Sequence, residues 1–174
     1  MTGFTKSETI IVTTIVLALV FLANFHFNLA NSKARDYERK EQLKQIASSF
    51  EDYLVDNGAY PTSNNKYQFT GCGDTICPTN SGKGINCNWH QNATPNNLAC
   101  GKYIYLDPVP RAPMNPKMPD PAEHRYFRPQ SNKMVIETCL ELKGDIEAQP
   151  IEISQTGLNY DNCSSGVIFQ ITKE

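Results

Sequence analysis

The sequence predicts an α+β fold in which a long N-terminal α-helix packs on an antiparallel β-sheet and disulfides staple the loops. Three observations lead there. An apolar run without formal charge, Ile10–Ala30, lies near the N-terminus and passes into a charged stretch without meeting Gly or Pro. Short β-forming runs fill the last third of the chain. All six cysteines, Cys72, Cys77, Cys87, Cys100, Cys139 and Cys163, follow the apolar run. At 174 residues, one domain beyond the first helix is the natural expectation.

Taken in order, the apolar run comes first. As a helix rising 1.5 Å per residue it reaches roughly the 30 Å thickness of membrane hydrocarbon. Its far end, Asn24–Asn28, is polar enough for the headgroup layer. A secretory signal peptide would need a basic start and a small-x-small cleavage site. No basic residue precedes Lys6, and no Ala-x-Ala closes the run. Beyond Ser32 the chain is charged, and then Leu43, Ile46, Ala47, Phe50, Tyr53 and Leu54 recur at three- and four-residue steps. That spacing marks one apolar stripe on a helix. Asn57-Gly58 and then Pro61 stop it. A single helix from about Phe4 to Asn57 would be roughly 80 Å long.

Residues 62–102 read as a connecting lobe rich in Asn and Gly that holds Cys72, Cys77, Cys87 and Cys100, with Trp89 expected to be buried in it. A loop of that length needs stapling or a function. Tyr103–Leu106 is a short strand, followed by a proline-rich stretch from Asp107 to Pro121 that cannot enter a regular element. Three further strands are expected at Arg125–Arg128, Lys133–Leu142 and Ser165–Thr172. Joined by Pro129–Asn132 and by the longer Lys143–Ser164 connection, they suit an antiparallel meander.

An even number of cysteines in a loop-rich domain fits a disulfide framework made in an oxidising compartment. Zinc is the rival, but no Cys-x-x-Cys pair occurs, and His90 and His124 lack ligand spacing. If the last two strands are neighbours, Cys139 and Cys163 pair across them. Cys72 with Cys77 and Cys87 with Cys100 is then the simplest remainder. Crossed pairings stay open, as does a bridge from Cys163 back to the lobe. Basic residues point the opposite way from the cysteines. Lys33, Arg35, Arg39 and Lys40 follow the apolar run and only Lys6 precedes it, which favours a cytoplasmic C-terminal part.

No nucleophile elbow, phosphate loop or His-Glu-x-x-His helix is present, so no enzyme and no cofactor is expected. Asp107, Asp120 and Glu123 do not form a calcium-loop series, and no metal site is expected. A net charge of −2 gives no default reason to bind nucleic acid. Glu8 alone demands a chemical explanation, because a carboxylate at the edge of hydrocarbon costs several kcal/mol, on the order of 3, unless paired or protonated.

Gly3-Phe4-Thr5-Lys6-Ser7-Glu8 before an apolar helix resembles the class III signal of type IV pilins and type II secretion pseudopilins. The end of the helix, Tyr53-Leu-Val-Asp-Asn-Gly-Ala-Tyr-Pro61, is similar to a pattern common in that family. The resemblance implies a pilin-like fold divided into a leader (1–3), a hydrophobic membrane and assembly half-helix (4–30) and an extracytoplasmic head (31–174). It implies cleavage after Gly3 by a prepilin peptidase, N-methylation of Phe4, and a role for Glu8 in assembly. It also implies a tied-down C-terminal region, as pilins often have. The implied partners are copies of the chain in a helical filament, the peptidase, the inner membrane before assembly, and other pilus or secretion-system subunits. Lys6 and Ser7 stand where the family usually has apolar residues, and no Pro lies near Phe25. A membrane-anchored extracellular receptor or adhesion module that does not polymerise is the alternative.

Overall fold

Residues Lys6–Asn57 form one helix, α1, of 52 residues. The computed structural model describes residues 5–63, 68–69, 98–100, 103–114, 124–159, 161 and 163–174. Absence of Gly and Pro lets the helix run on, and both ends are capped. Thr5 sits in the extended region, and its side chain accepts from the backbone of Glu8. Gly58 takes the left-handed conformation (φ 72°) and donates its N–H to Leu54 O at 2.7 Å. That conformation suits glycine, which has no Cβ to clash.

The two halves of α1 have different surroundings. Up to Ala30 every described residue is exposed. Beyond it, Asp36, Arg39, Lys40, Leu43, Ile46, Ala47, Ser49, Phe50 and Tyr53 are buried. The buried stripe therefore starts earlier than its apolar members, at charged residues that keep the same helical spacing.

This stripe lies on a four-stranded antiparallel sheet. The strands are β3 (Arg125–Gln130), β4 (Lys133–Cys139), β5 (Gln149–Pro150) and β6 (Val167–Lys173), in the order β3-β4-β6-β5. A separate hairpin, β1 (Leu98–Cys100) with β2 (Tyr103–Leu106), also packs on the helix. The fold is therefore α+β, a long helix on a small antiparallel sheet.

Register places Ile136 opposite Tyr126 on one side and Ile171 on the other, with Thr138 opposite Phe169. Side chains alternate between faces, so these residues share the face turned to α1. There Tyr126, Met134, Ile136 and Phe169 join Leu43, Ile46, Phe50 and Tyr53 in one core. Phe50 meets the rings of Phe69 and Tyr126 edge-on at 5.0 and 4.9 Å. The Tyr126 hydroxyl donates to Pro61 O at 2.7 Å, tying the sheet to the chain just past the helix.

The other face carries Val135, Glu137 and Cys139, all buried. Cys139, Ile151, Leu158, Cys163 and Ile168 form a second core there, beneath a 3-10 turn at Ile151–Ile153 and the loop after it. Burial on both faces explains why β4 reads as a continuous run and not as a strict alternation.

Boundaries differ from expectation in ways the contacts explain. β3 continues through Pro129 to Gln130 with a register shift after Phe127, a place where the ladder tolerates proline. β4 stops at Cys139, not Leu142, because the N–H groups of Glu141 and Leu142 turn to the Asp36 carboxylate. β6 begins at Val167, after a turn at Gly166 with φ 72°. The expected Tyr103–Leu106 strand is present, while β1 and the short β5 were not anticipated.

Candidate functional site

At its N-terminal end α1 opens with a capping box. Thr5 N and Thr5 Oγ1 both donate to Glu8 Oε2 at 2.7 Å, and Glu8 N donates to Thr5 Oγ1 at 3.4 Å. The Thr-x-x-Glu spacing that signals this box was present in the sequence. Glu8 therefore has a local partner within its own helix. Gly3 and Phe4 lie outside the described residues.

The following stretch presents Ile10, Phe21, Phe25 and Phe27 with 66, 72, 63 and 67% of their surface exposed. By length and composition this helix could cross a membrane, and none of its most apolar stretch is buried. Its threonine and asparagine side chains donate to the helix's own carbonyls. Thr13 Oγ1 and Thr14 Oγ1 donate to Thr9 O and Ile10 O at 2.8 and 2.9 Å. Asn24 Nδ2 and Asn28 Nδ2 donate to Val20 O and Asn24 O at 2.8 and 3.0 Å. Side chains that turn their donors back onto the helix backbone suit a segment placed in lipid or in a dry helical bundle.

Below this segment a collar of ion pairs joins helix to head. Arg35 grips Glu141 with two bonds, Nε to Oε1 and Nη2 to Oε2, each 2.7 Å. Arg39, wholly buried, donates to Asp36 Oδ1 at 2.8 Å, to Glu141 Oε1 at 3.0 Å and to Pro113 O at 2.8 Å. Lys40 Nζ lies 2.8 Å from both Asp145 and Glu147. Burial raises the Asp36 carboxyl, an effect the Glu141 and Leu142 N–H groups and Arg39 oppose. For Glu141 burial pushes the same way, but the Arg35 hydrogen bond and Arg39 outweigh it and hold the carboxyl below its ordinary value.

Three of the four basic residues that follow the apolar run are thus committed to head carboxylates in the fold. In the sequence this stretch reads as a charged continuation of the helix and as a basic flank of the apolar run, with nothing but its spacing to mark it as buried. The signal was there: 36, 39, 40 and 43 continue the steps of the apolar stripe. His124 is also wholly buried, with Nε2 2.9 Å from Gln42 Oε1. Burial, and then Arg39, lower its pKa to about 3.

On the sheet's outer face Glu137 is wholly buried and accepts from one loop and one neighbour. Ser154 Oγ donates at 2.6 Å, Gln155 N at 2.8 Å, Thr156 Oγ1 at 2.5 Å and Gln170 Nε2 at 2.7 Å. Arg125, opposite Glu137 in the register, donates to Thr156 O and Gly157 O. Nothing in the local sequence marks Glu137 as buried, since its donors lie in the unpatterned connection after β5 and in β6.

Cys139 and Cys163 are bridged, with Cα atoms 5.6 Å apart. The expected staple between the last two long strands is therefore present. Cys72, Cys77 and Cys87 lie outside the described residues, as does Trp89, and Cys100 is placed only by its backbone in β1. Among the described residues no cluster of three or more His, Cys, Asp or Glu is arranged to hold a metal ion. Comparison with protein families, with characterised proteins and with solved structures returns no match.

Proposed function

We propose that this chain is a structural subunit of the type IV pilin and type II secretion pseudopilin kind, polymerising through its N-terminal helix. The carrying observation is the half of α1 that is apolar, charge-free from Ile10 to Ala30, and exposed along its length. Such a surface requires lipid or other helices around it, since leaving it in water forfeits about 25 cal/mol for each Å². The membrane would hold it before assembly, and copies of the same helix would cover it in a filament, with the disulfide-bonded head outside the cytoplasm.

Gly3-Phe4 supplies the processing step in this reading. Cleavage there would leave Phe4 as an N-methylated terminus and would spare Thr5, hence the capping box. The terminal amine would then offer Glu8 of a neighbouring subunit a positive partner. Mass spectrometry of the terminal peptide tests the step, with a chain beginning at methylated Phe4 expected. Imaging filaments, and identifying this chain within them, tests the function.

The alternative is an anchored receptor or adhesion module, and one observation favours it. The capping box accounts for Glu8 within a single chain, with no second subunit needed. Membrane-extracted protein that retains Met1 and forms no filaments would support that reading and overturn the first.

A further inference from the structure

Where the exposed half of α1 enters the head, the chain leaves a groove of about 550 Å³ lined by Leu29, Lys33, Tyr37, Leu142, Lys143 and Asp145. Leu29, Lys33 and Tyr37 lie at four-residue steps on one helix face, and the chain beyond β4 forms the opposite wall. Leu29, Tyr37 and Leu142 make an apolar lining, and lysines flank it.

The basic side chains at this height are not equivalent. Lys40, which also borders the groove, is committed to Asp145 and Glu147, so the Asp145 carboxylate is already neutralised. Lys33 and Lys143 are exposed, and among the described residues neither has an ion-pair partner. Beside them Ile146 is 99% exposed in the turn after Lys143. The position along the helix completes the picture. Lys33 stands five residues past Asn28, about 8 Å along the axis from the polar end of the span, and a lysine stem can reach back along the helix toward the headgroups.

We propose that this groove binds the headgroup of an anionic phospholipid. The phosphate sits between Lys33 and Lys143, the glycerol and first acyl carbons lie against Leu29, Tyr37 and Leu142, and Ile146 enters the same layer. Lysine serves phosphate as a point charge, and lysines at an anionic leaflet gain from it. An apolar helix from a second copy would fill the groove but strand two desolvated ammonium groups, which is costly. The inference rests on the reading of α1 as membrane-inserted.

The test uses the full chain reconstituted in vesicles of phosphatidylcholine with or without phosphatidylglycerol. Flotation first reports insertion, and native mass spectrometry after detergent extraction then counts retained lipid. Phosphatidylglycerol should be retained over phosphatidylcholine. Lys33→Gln and Lys143→Gln should each lower that retention about five-fold without changing flotation. Lys44→Gln, farther along the helix, should leave it unchanged. Equal retention of the two lipids, an equal loss in Lys44→Gln, or a second copy held in place of lipid overturns the proposal. Failure to float with either vesicle overturns the membrane reading itself.

Discussion

Glu8, His124 and Arg39 each set a local charge problem that the fold answers differently. For Glu8 the answer is the capping box, so substitutions can separate capping from charge. Glu8→Gln keeps a residue able to reach back to the Thr5 N–H, while Glu8→Ala removes both cap and charge. If intersubunit charge pairing drives assembly, filament yield should vanish in Glu8→Ala and be intermediate in Glu8→Gln, with membrane insertion intact in both. Wild-type yield from Glu8→Ala would end the assembly role. For His124 the answer is neutrality. Its pKa in the fold is about 3 against an ordinary 6.5, so the unfolded chain takes up a proton that the folded chain refuses. Stability from this group is present above pH 6.5 and declines as pH falls toward 3, by about 1.4 kcal/mol per unit. Urea titrations across pH 4–7 should show that slope in the wild type and its loss in His124→Gln. Arg39 takes the third course, surrounding itself with Asp36, Glu141 and Pro113 O. Arg39→Leu would leave the buried Asp36 carboxylate without its counter-charge, while Arg35 still holds Glu141, so removing Arg39 costs more than the pair contributes.

The strand β4 is buried on both faces, and the connection from β5 to β6 covers its outer side. Two devices hold that connection down, the Cys139–Cys163 bridge and the Glu137 carboxylate. Closing a loop of 24 residues' separation is worth about 3 kcal/mol by chain entropy. Non-reducing peptide mapping should return one species joining the Cys139 and Cys163 peptides. Glu137 adds a second tie through Ser154, Gln155 and Thr156. Glu137→Leu should destabilise the head by about 3 kcal/mol, because it strands buried donors on both sides. Hydrogen exchange should locate the loss. Amides of residues 154–158 should become fast while those of β3 stay protected. Uniform loss across the sheet would show that Glu137 supports the whole core and not the loop.

At the scale of the molecule, α1 joins two regions with separate demands on it. The head is built from the second half of the helix and the sheet, and no described residue up to Ala30 is buried. Removing residues 1–30 should therefore give a soluble, monomeric head whose melting temperature lies within a few degrees of the detergent-solubilised full chain. Sedimentation and calorimetry check this. A head that unfolds on truncation would mean that the exposed half-helix stabilises the fold. The ion-pair collar remains in the truncated chain, since Arg35, Asp36, Arg39 and Lys40 all follow residue 30.

The sequence by itself determined the long helix, its stop at Gly58, the exposed apolar half and the antiparallel sheet. These follow from periodicity, breakers and the absence of charge, which act between residues near in sequence. It also narrowed the Cys139–Cys163 bridge to a preference, because strand order suggested which cysteines would be neighbours. The tertiary structure alone decided that Asp36 and Arg39 are core residues, that Glu137 is a buried acceptor and that β3 runs through Pro129. The first two depend on partners far along the chain: Glu141 lies 105 residues from Asp36, and Thr156 lies 19 from Glu137. A charged residue looks solvated in sequence until the fold supplies its counter-charge or its donors, and only packing brings those groups within hydrogen-bond distance.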